Sequence, residues 1–554
     1  MSTVADFMVK WIEAEKLPYI FGLPGGQVSA VYDALFRNTA VKSVLVRHEQ
    51  NAGFMADAFA RATGRFGACI ATVGPGALNL LSGLAIAYAD STPVLAITGD
   101  APIKYPKAKG QREDDVNQLS LFKNVTKWNA ELVKAEHSPE IMATAFRNMF
   151  SGRPGPVHIN VPMDVLAAEF NYDPEAICPE TTRSKLTEPC CPDAVVAEVA
   201  KHILETDKIV IFADGLALKS GAGEEVERLA GILNAPVVTT YKGRGIISED
   251  SLHAFGIPGS FGNAETKKML MEAKMILSLG VQFDEFSTAG WTIPPKSTPL
   301  IQIDVDGQEI GKNYPVLYDL IGNIKAILKR LICFIEEEGK SKKQIEPWWL
   351  GYKKQLETRL NKFGSESAIP LSHYRIFKEV RDFFNEDCIA TFDVGTNKQV
   401  GQQVWKVYRP QTCIMGGRWG HMGYAFPASL AAKLAKPKSD VVCFIGDGGF
   451  MMTAHELATA VKYKLPTLTC VFNDSALSMM QHHQKIKYQS RFIDTDLVNP
   501  NFAEFARSFG AYGHRVEKPE DIRNALVKCR EIMNQGRPCL IEFIVNPWET
   551  RYIS

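Results

Sequence analysis

The sequence predicts an α/β protein of three doubly wound parallel-sheet domains. Short strand-like runs, apolar on both faces, recur along the chain, and amphipathic helical stretches separate them. Two polar, aperiodic stretches divide the whole into three. Strands apolar on both faces must be covered on both sides, as helices do in a parallel sheet. At 554 residues the chain is also too long for one core.

Residues 1–167 form the first predicted domain. Here "VKSVLV", "ACIATVG", "PVLAITGD" and "PVHINVP" read as buried strands, and "NAGFMADAFARATGR" has apolar positions at helical spacing. The stretch "EFNYDPEAICPETTRSKLTEPCCPD" then loses periodicity and gathers Pro, Thr and charge, as a linker does. The second domain, 190–338, has strands at "KIVIFADG", "APVVTTY", "MILSLGVQF" and "LIQIDVD". The charged "IEEEGKSKKQIEPWW" leads to the third, 367–554, with strands at "CIATFDVG", "TCIMGG", "DVVCFIGDGG", "TLTCVFND" and "CLIEFIV". The first and third domains match in length and strand count. That suggests an internal pairing, although no residue-level repeat is visible.

Composition narrows the function classes. Lys+Arg and Asp+Glu both number 62, so the formal charge is zero and nothing recommends a nucleic-acid partner. No window approaches the roughly 20 apolar residues of a membrane span. The N-terminal stretch "MSTVADFMVKWIEAEKLPYIFGLPGG" lacks the apolar core of a signal peptide, so a cytoplasmic location is expected. The eleven cysteines are scattered. Cys69, Cys443 and Cys470 read as small core residues, and Cys190-Cys191 has no CxxC partner, so neither a disulfide framework nor a zinc site is expected.

One stretch carries chemistry. The strand "DVVCFIGDGG" ends on Asp447 among Gly446, Gly448 and Gly449, a helix "MMTAHELATAVKY" follows, and "TLTCVFND" delivers Asp474. The interval, 474 − 447 = 27 residues, is one strand end, one helix and one strand. It brings both carboxylates side by side to one edge of a parallel sheet. Glycines let a ligand approach the backbone, and a helix N-terminus favours phosphate. Two carboxylates beside a phosphate call for a hard cation such as Mg²⁺.

Gly-Asp-Gly followed at this interval by Asn-Asp resembles the thiamine-diphosphate motif of the pyruvate decarboxylase and acetolactate synthase superfamily, and the resemblance runs from end to end. "FGLPGGQVSAVYDAL" is similar to the family's first strand–loop–helix. "RHEQNAGFMADAFARATGR" resembles its glutamate segment, in wording closest to the catabolic acetolactate synthases. "TVGPGALNLLSGLAIAYADSTPVLAITGD" and "GRPGPVHINVPMDV" follow in the family's order. "DVGTN" resembles a diphosphate-contacting loop, and "GGRWGHMGYAFPASL" the loop that positions the aminopyrimidine. The three domains would then be pyrimidine-binding, central Rossmann-like and diphosphate-binding.

By that resemblance, Asp447 and Asp474 ligate Mg²⁺ through side chains and Ala476 through its carbonyl. Many members have Asn where Asp474 stands. Gly395, Thr396, Asn397, Gly446, Gly448 and Gly449 line the diphosphate, and Gly25, Gly26 and Asn79 approach the cofactor from the first domain. Glu49 is the central acid, hydrogen-bonding the pyrimidine N1′ and sharing a proton with the ring. Met422, 447 − 422 = 25 residues before the metal aspartate, is the wedge under the bent cofactor. The Gly420 carbonyl accepts from the 4′-amino group. Outside this context, Glu49 would read as a solvated strand-end residue and Met422 as core filling.

Around the substrate the residues leave alternatives open. Gln111, Asp114 and Gln118 compete for the position of a cofactor-proximal Gln. His421 either donates a proton to a bound intermediate or points to solvent. Met479, Met480 and His483 either line the substrate pocket or serve helix packing and solvation.

The reaction implied is that of a 2-oxoacid decarboxylase/carboligase resembling acetolactate synthase, acting through a C2 ylid and a carbanion/enamine. Its donor would be a 2-oxoacid such as pyruvate, its acceptor an aldehyde or second 2-oxoacid. Glyoxylate carboligases lack the glutamate that Glu49 supplies. "GVQFDEF" has Gln282 and Phe286 in place of two arginines that anabolic synthases use for FAD, so FAD is not expected. The Trp by which those synthases favour 2-ketobutyrate aligns with His483. The alternatives are a simple decarboxylase, a 2-hydroxyacyl lyase or an FAD-dependent pyruvate oxidase. From another class, a non-catalytic cofactor-binding regulator is disfavoured because Glu49 and both metal aspartates are present. The family also implies a homodimer or homotetramer with active sites at subunit interfaces.

Overall fold

The structure is a computed structural model that describes residues 2–104, 116–173, 177, 189–339 and 346–551. It contains three α/β regions, each built on a parallel sheet of five or six strands. The chain packs as two compact units. One comprises Met1–Leu186, Gly416–Lys438 and Thr453–Leu465, and the other comprises Thr187–Met415, Ser439–Met452 and Pro466–Ser554.

The first unit holds β1 (Tyr19–Gly22), β2 (Lys42–Leu45), β3 (Gly67–Ala71), β4 (Val94–Asp100), β5 (Trp128–Glu131) and β6 (Val157–Pro162). Their order is β2-β1-β3-β4-β6-β5, all parallel. Strands β3, β4 and β6 are buried at every residue, as continuous apolar runs require.

The second unit holds two sheets. One orders β7 (Ile209–Ala213), β8 (Val237–Thr239), β9 (Met275–Leu279), β10 (Leu300–Asp304) and β11 (Tyr318–Ile321) as β8-β7-β9-β10-β11. The other comprises β12 (Ile389–Phe392), β13 (Cys413–Met415), β14 (Val441–Gly446), β15 (Leu468–Asn473), β16 (Tyr512–Val516) and β17 (Cys539–Ile544). Its order is β13-β12-β14-β15-β17-β16, the same permutation as the first sheet. The internal pairing suggested by length and strand count is therefore one of topology. In each six-stranded sheet the order reverses between the first and third strands, and ligands gather beyond the carboxyl ends at such a point.

Within the three parallel sheets, β5, β11 and β16 had no counterpart in the sequence reading. All three are sheet edges. An edge strand is covered incompletely, so it lacks the continuous apolar run that marks a central one. Trp128–Glu131 is half-buried throughout, and only Leu320 of Tyr318–Ile321 is buried. Cys69, Cys443 and Cys470 lie buried in β3, β14 and β15, as small core residues. Among the described residues no helix is long and apolar enough to cross a membrane.

Two glycines set how closely the helices Glu49–Thr63 and Pro75–Ala89 approach. A Cβ on Gly83 would lie 2.6 Å from the Gly53 Cα and 2.7 Å from the Gln50 carbonyl oxygen. Both neighbours are backbone, so the helices themselves must separate to admit a methyl group. Gly83→Ala should therefore destabilise this unit by about 1–3 kcal/mol, the usual range for overpacking. It should be read as a lowered melting transition, and an unchanged melt would show that the helices yield without loss.

Candidate active site

Glu49 opens its helix directly after β2. His48 caps that helix, its Nδ1 accepting from the Gln50 N–H at 3.3 Å. The Glu49 side chain is 6% exposed. Its Oε2 accepts from Asn79 Nδ2 at 3.0 Å, and its Oε1 lies 3.2 Å from where a Cβ on Gly76 would sit. Asn79 and Gly76 belong to the helix that follows β3, the helix whose Gly83 packs against Gly53.

The exits of β1 and β3 meet beside it. A Cβ on Gly25 would lie 2.5 Å from the Thr72 Cβ, whereas Gly26 faces open space. Gln118 serves the fold here. Its Oε1 accepts from the Gly74 N–H at 3.3 Å, while its Nε2 donates to the Gly99 carbonyl at 3.1 Å and to Asn160 Oδ1 at 2.8 Å. Its competitors Gln111 and Asp114 lie outside the described residues.

The segment bearing Gly420, His421 and Met422 belongs to the same unit. It is anchored by a buried network. Arg61 bridges Asp57 and Asp90, each at 2.8 Å, and the Tyr424 hydroxyl donates to Asp57 at 2.5 Å. The Arg418 N–H donates to Asp90 at 3.2 Å. Burial and the Asp57 charge raise the Tyr424 phenol well above its ordinary value, so it stays a donor. Gly420 has φ 64°, a left-handed conformation that suits glycine, and Met422 is half-buried. His421 donates from Nδ1 to the Met422 carbonyl at 2.6 Å and packs edge-on against Phe54 at 4.9 Å.

In the second unit, β12 and β14 flank the order reversal. Asn397 ties their ends together, its Nδ2 donating to the Phe444 carbonyl at 3.1 Å and the Asp393 carbonyl at 3.3 Å. Gly395 stands at φ 136°, where a Cβ would meet Asn397 Oδ1 at 2.7 Å. The helix Thr396–Val404 begins there with no side-chain cap, and the buried Thr396 hydroxyl has no hydrogen-bond partner among the described residues. A Cβ on Gly446 would have open space, meeting only Asn397 Oδ1, at 3.9 Å, besides its chain neighbours.

Asp447 is buried. Its Oδ1 accepts from the Gly448 N–H at 2.8 Å, its Oδ2 from Asn499 Nδ2 at 2.7 Å. Gly449, next along, is buried in the first turn of the helix Asp447–Thr453. Asp474 leaves the neighbouring strand β15 and accepts from the Ala476 N–H at 3.2 Å and from the Ser478 hydroxyl. Burial, and then the charge of Asp447, push the Asp474 carboxyl up from 3.8 to about 7. Burial likewise raises Asp447. Two such carboxylates, set in oxygen and N–H donors beside an orphan hydroxyl, suit a hard cation carrying a diphosphate.

Asn499 is a site residue that the sequence reading did not find. It bridges Asp447 and Asn473, donating to Asn473 Oδ1 at 3.1 Å, and Asn473 in turn donates to the buried Glu542 at 2.7 Å. Asn499 sits in a loop with no strand-end signal, and only folding brings it to Asp447. Of the other pocket candidates, Met479 is half-buried, Met480 is 50% exposed, and His483 is exposed beside Tyr488. All three lie on the helix Ser478–Lys487.

A raised carboxyl pKa makes the folded state bind its proton more tightly than the unfolded state. The stability from Asp474 is therefore fully present below about pH 3.8 and is lost as pH rises toward 7. At about 1.4 kcal/mol per tenfold change in proton affinity, this loss is bounded at about 4 kcal/mol. Asp474→Asn should melt above the wild-type metal-free protein at pH 8, with the gap closing toward pH 4. Parallel melts at both pH values that keep one constant gap would refute the electrostatic account.

The comparisons with known proteins follow the same division. The family described as thiamine pyrophosphate enzyme, N-terminal TPP binding domain, matches residues 2–121; its central domain matches 196–331, and its C-terminal TPP binding domain 393–543. A probable acetolactate synthase large subunit of Methanococcus aeolicus is 35% identical over 558 residues, covering 98% of this chain and 92% of the relative. An acetolactate synthase of Mycobacterium avium is 32% identical, with 98% and 87% covered. The acetolactate synthase large subunit of Haemophilus influenzae is 31% identical, with 96% and 92% covered. With similarity spanning all three sheets and nearly the whole of each relative, this chain belongs to the thiamine pyrophosphate enzymes, among the relatives of acetolactate synthase.

Proposed function

We propose that the protein is a thiamine-diphosphate- and Mg²⁺-dependent 2-oxoacid decarboxylase/carboligase of the acetolactate synthase type. The observation that carries this reading is the pair of carboxylates ending β14 and β15, in a chain similar over nearly its full length to proteins named acetolactate synthase. Asp447, Asp474 and the Ala476 carbonyl would hold the cation. The open backbone at Gly446, the helix start at Gly448 and Gly449, and the uncapped helix start at Gly395–Thr396 would take the diphosphate, with the Thr396 hydroxyl as a donor. Asn397 would contribute by holding this loop in shape.

Bound there, the cofactor supplies the carbon nucleophile and electron sink for loss of CO₂ from a 2-oxoacid. Glu49 would hold the working proton. Asn79 satisfies its Oε2, which leaves Oε1, the oxygen over Gly76, to share that proton with a ring nitrogen. Met422 and the Gly420 carbonyl would shape the other side of the ring. His421 spends Nδ1 on its own backbone, so only Nε2 would be available to a substrate.

We also propose that no flavin binds the central sheet. At the carboxyl ends of β7, β8 and β9, where a dinucleotide sits in such folds, Lys242 is paired with Asp214 at 3.2 Å and donates to Gln282 at 3.1 Å. Asp214 also accepts from Thr240 and the Gly215 N–H, so this cluster occupies the crevice. The cysteines among the described residues are free of disulfides, four of them (Cys190, Cys191, Cys333 and Cys413) are not buried, and this fits a reducing cytoplasm. The family resemblance supports a homodimer or homotetramer, with each active site completed by a second subunit. The absorption spectrum and sedimentation of the purified protein check these two points.

Mass spectrometry of products, after incubation with thiamine diphosphate, Mg²⁺ and 2-oxoacids with and without aldehydes, tests the reaction. A 2-hydroxy-2-acyl acid from pyruvate alone is expected, and aldehyde alone would make it a simple decarboxylase. Glu49→Gln should bind cofactor with a modest loss but exchange the cofactor C2 proton about 10²- to 10⁴-fold more slowly. Exchange at the wild-type rate would remove Glu49 from its role.

A further inference from the structure

The chain that leaves Asp447 continues as a helical segment, and one face of it grips the strand and turn that carry Glu49. Three side chains make the grip: Glu456, Thr459 and Tyr463. Their spacing, three and then four residues, puts them on one helical face. The Leu45 N–H donates to the Tyr463 hydroxyl at 2.8 Å, and the Thr459 hydroxyl, 3.2 Å from the Leu45 carbonyl, shares its one proton between that carbonyl and Glu456. Glu456 reaches furthest. Its Oε1 accepts from the Arg47 N–H at 2.7 Å and from Asn51 Nδ2 at 2.8 Å, and its Oε2 accepts from Thr459.

These contacts bracket Glu49, with Arg47 two residues before it and Asn51 two after. Glu456 is 0% exposed, its three donors are all neutral, and burial lowers the pKa of the His455 beside it, which favours the neutral imidazole. Burying a carboxylate without a cation is expensive, so a purely packing position would favour an apolar residue. A site surrounded by donors needs a side chain that only accepts, and a carboxylate meets three donors with its two oxygens. We propose that Glu456 is the positioning residue of the active site: it clamps the turn on both sides of Glu49 and so fixes where the Glu49 carboxyl group points. Neither Arg47 nor Asn51 can shift without breaking its bond to the same oxygen, partly buried for Arg47 and buried for Asn51. Asn79, on a different helix, then meets a carboxyl group already held in place.

The inference rests on the reading of Glu49 as the proton-holding group, and two readouts separate them. The first is amide hydrogen–deuterium exchange of the cofactor-free protein over Leu45–Ala52, by mass spectrometry. Glu456→Ala should lose protection there, whereas Glu456→Gln, which keeps an acceptor oxygen for Arg47 and Asn51, should retain it. The second is C2 proton exchange in the cofactor-loaded protein. Glu456→Ala should slow it about 10- to 100-fold, as misplacement of a reacting group does, with cofactor affinity little changed. Glu456→Gln should restore the rate, and Asn51→Ala, which keeps the Arg47 arm, should fall between; it also serves if Glu456→Ala does not fold. Wild-type protection and exchange in Glu456→Ala would overturn the proposal. So would a glutamine variant with intact protection but slow exchange, since the charge rather than the clamp would then matter. If Glu49→Gln exchanges normally, the reading of Glu49 fails, and the amide protection alone judges the clamp.

Discussion

Two carboxylates at the ends of neighbouring strands repel each other, and the ligand-binding edge of the third sheet is organised around that repulsion. Asp447 and Asp474 are brought together because β14 and β15 pair in parallel, so both chains leave the sheet on the same side. Burial prevents water from screening them, and Asp474 responds by holding its proton to about pH 7. The surroundings supply donors: the Gly448 and Ala476 N–H groups, the Ser478 hydroxyl and the Asn499 amide. Such an arrangement lowers the stability of the metal-free protein and favours whatever cation enters. Stability is given up at the point where a ligand can return it, as at many functional sites.

The same strand permutation in the first and third sheets gives each a crevice of the same kind, lined by different groups. In both, the order reverses between the first and third strands, and the loops leaving those strands lie together. In the third sheet the loops bear Gly395 and Asp447, with open backbone and an orphan hydroxyl. In the first they bear Gly25 and Gly76, with the Glu49 carboxyl group resting over the latter. The architecture supplies a place in each sheet, and the side chains delivered there differ: paired carboxylates in the one, a single buried carboxyl group bonded to Asn79 in the other.

Buried polar networks connect separate stretches of the chain within the first unit. Arg61, Asp57, Asp90 and Tyr424 hold the Gly420–Met422 segment, and Glu456, Thr459 and Tyr463 hold the turn before Glu49. A half-satisfied network in a core is worse than an apolar one, so members of each must be present together. Sites held by such networks keep their side chains in one geometry, which proton transfer demands.

Much of this was legible from residues alone. Central strands announced themselves because a strand covered on both faces must be apolar throughout. Asp447 and Asp474 were found because glycine flanks and a 27-residue interval translate directly into adjacent strand ends. Edge strands such as Tyr512–Val516 escaped notice because half their surface meets water and their composition shows it. Asn499 and Glu456 escaped notice for a different reason. Each acts on residues distant in sequence, Glu456 on a turn some 409 residues earlier, and no local pattern encodes such a pairing. Gln118 shows the converse: the sequence offered it only as one alternative beside Asp114 and Gln111, and the fold uses its amide to brace backbone loops. Thus the sequence by itself determined the sheets, the strand-end carboxylates and the family, because periodicity and spacing are local properties of a chain. Only the tertiary structure decided which buried polar groups hold those carboxylates in place, because hydrogen bonds between distant segments exist only once the chain has folded.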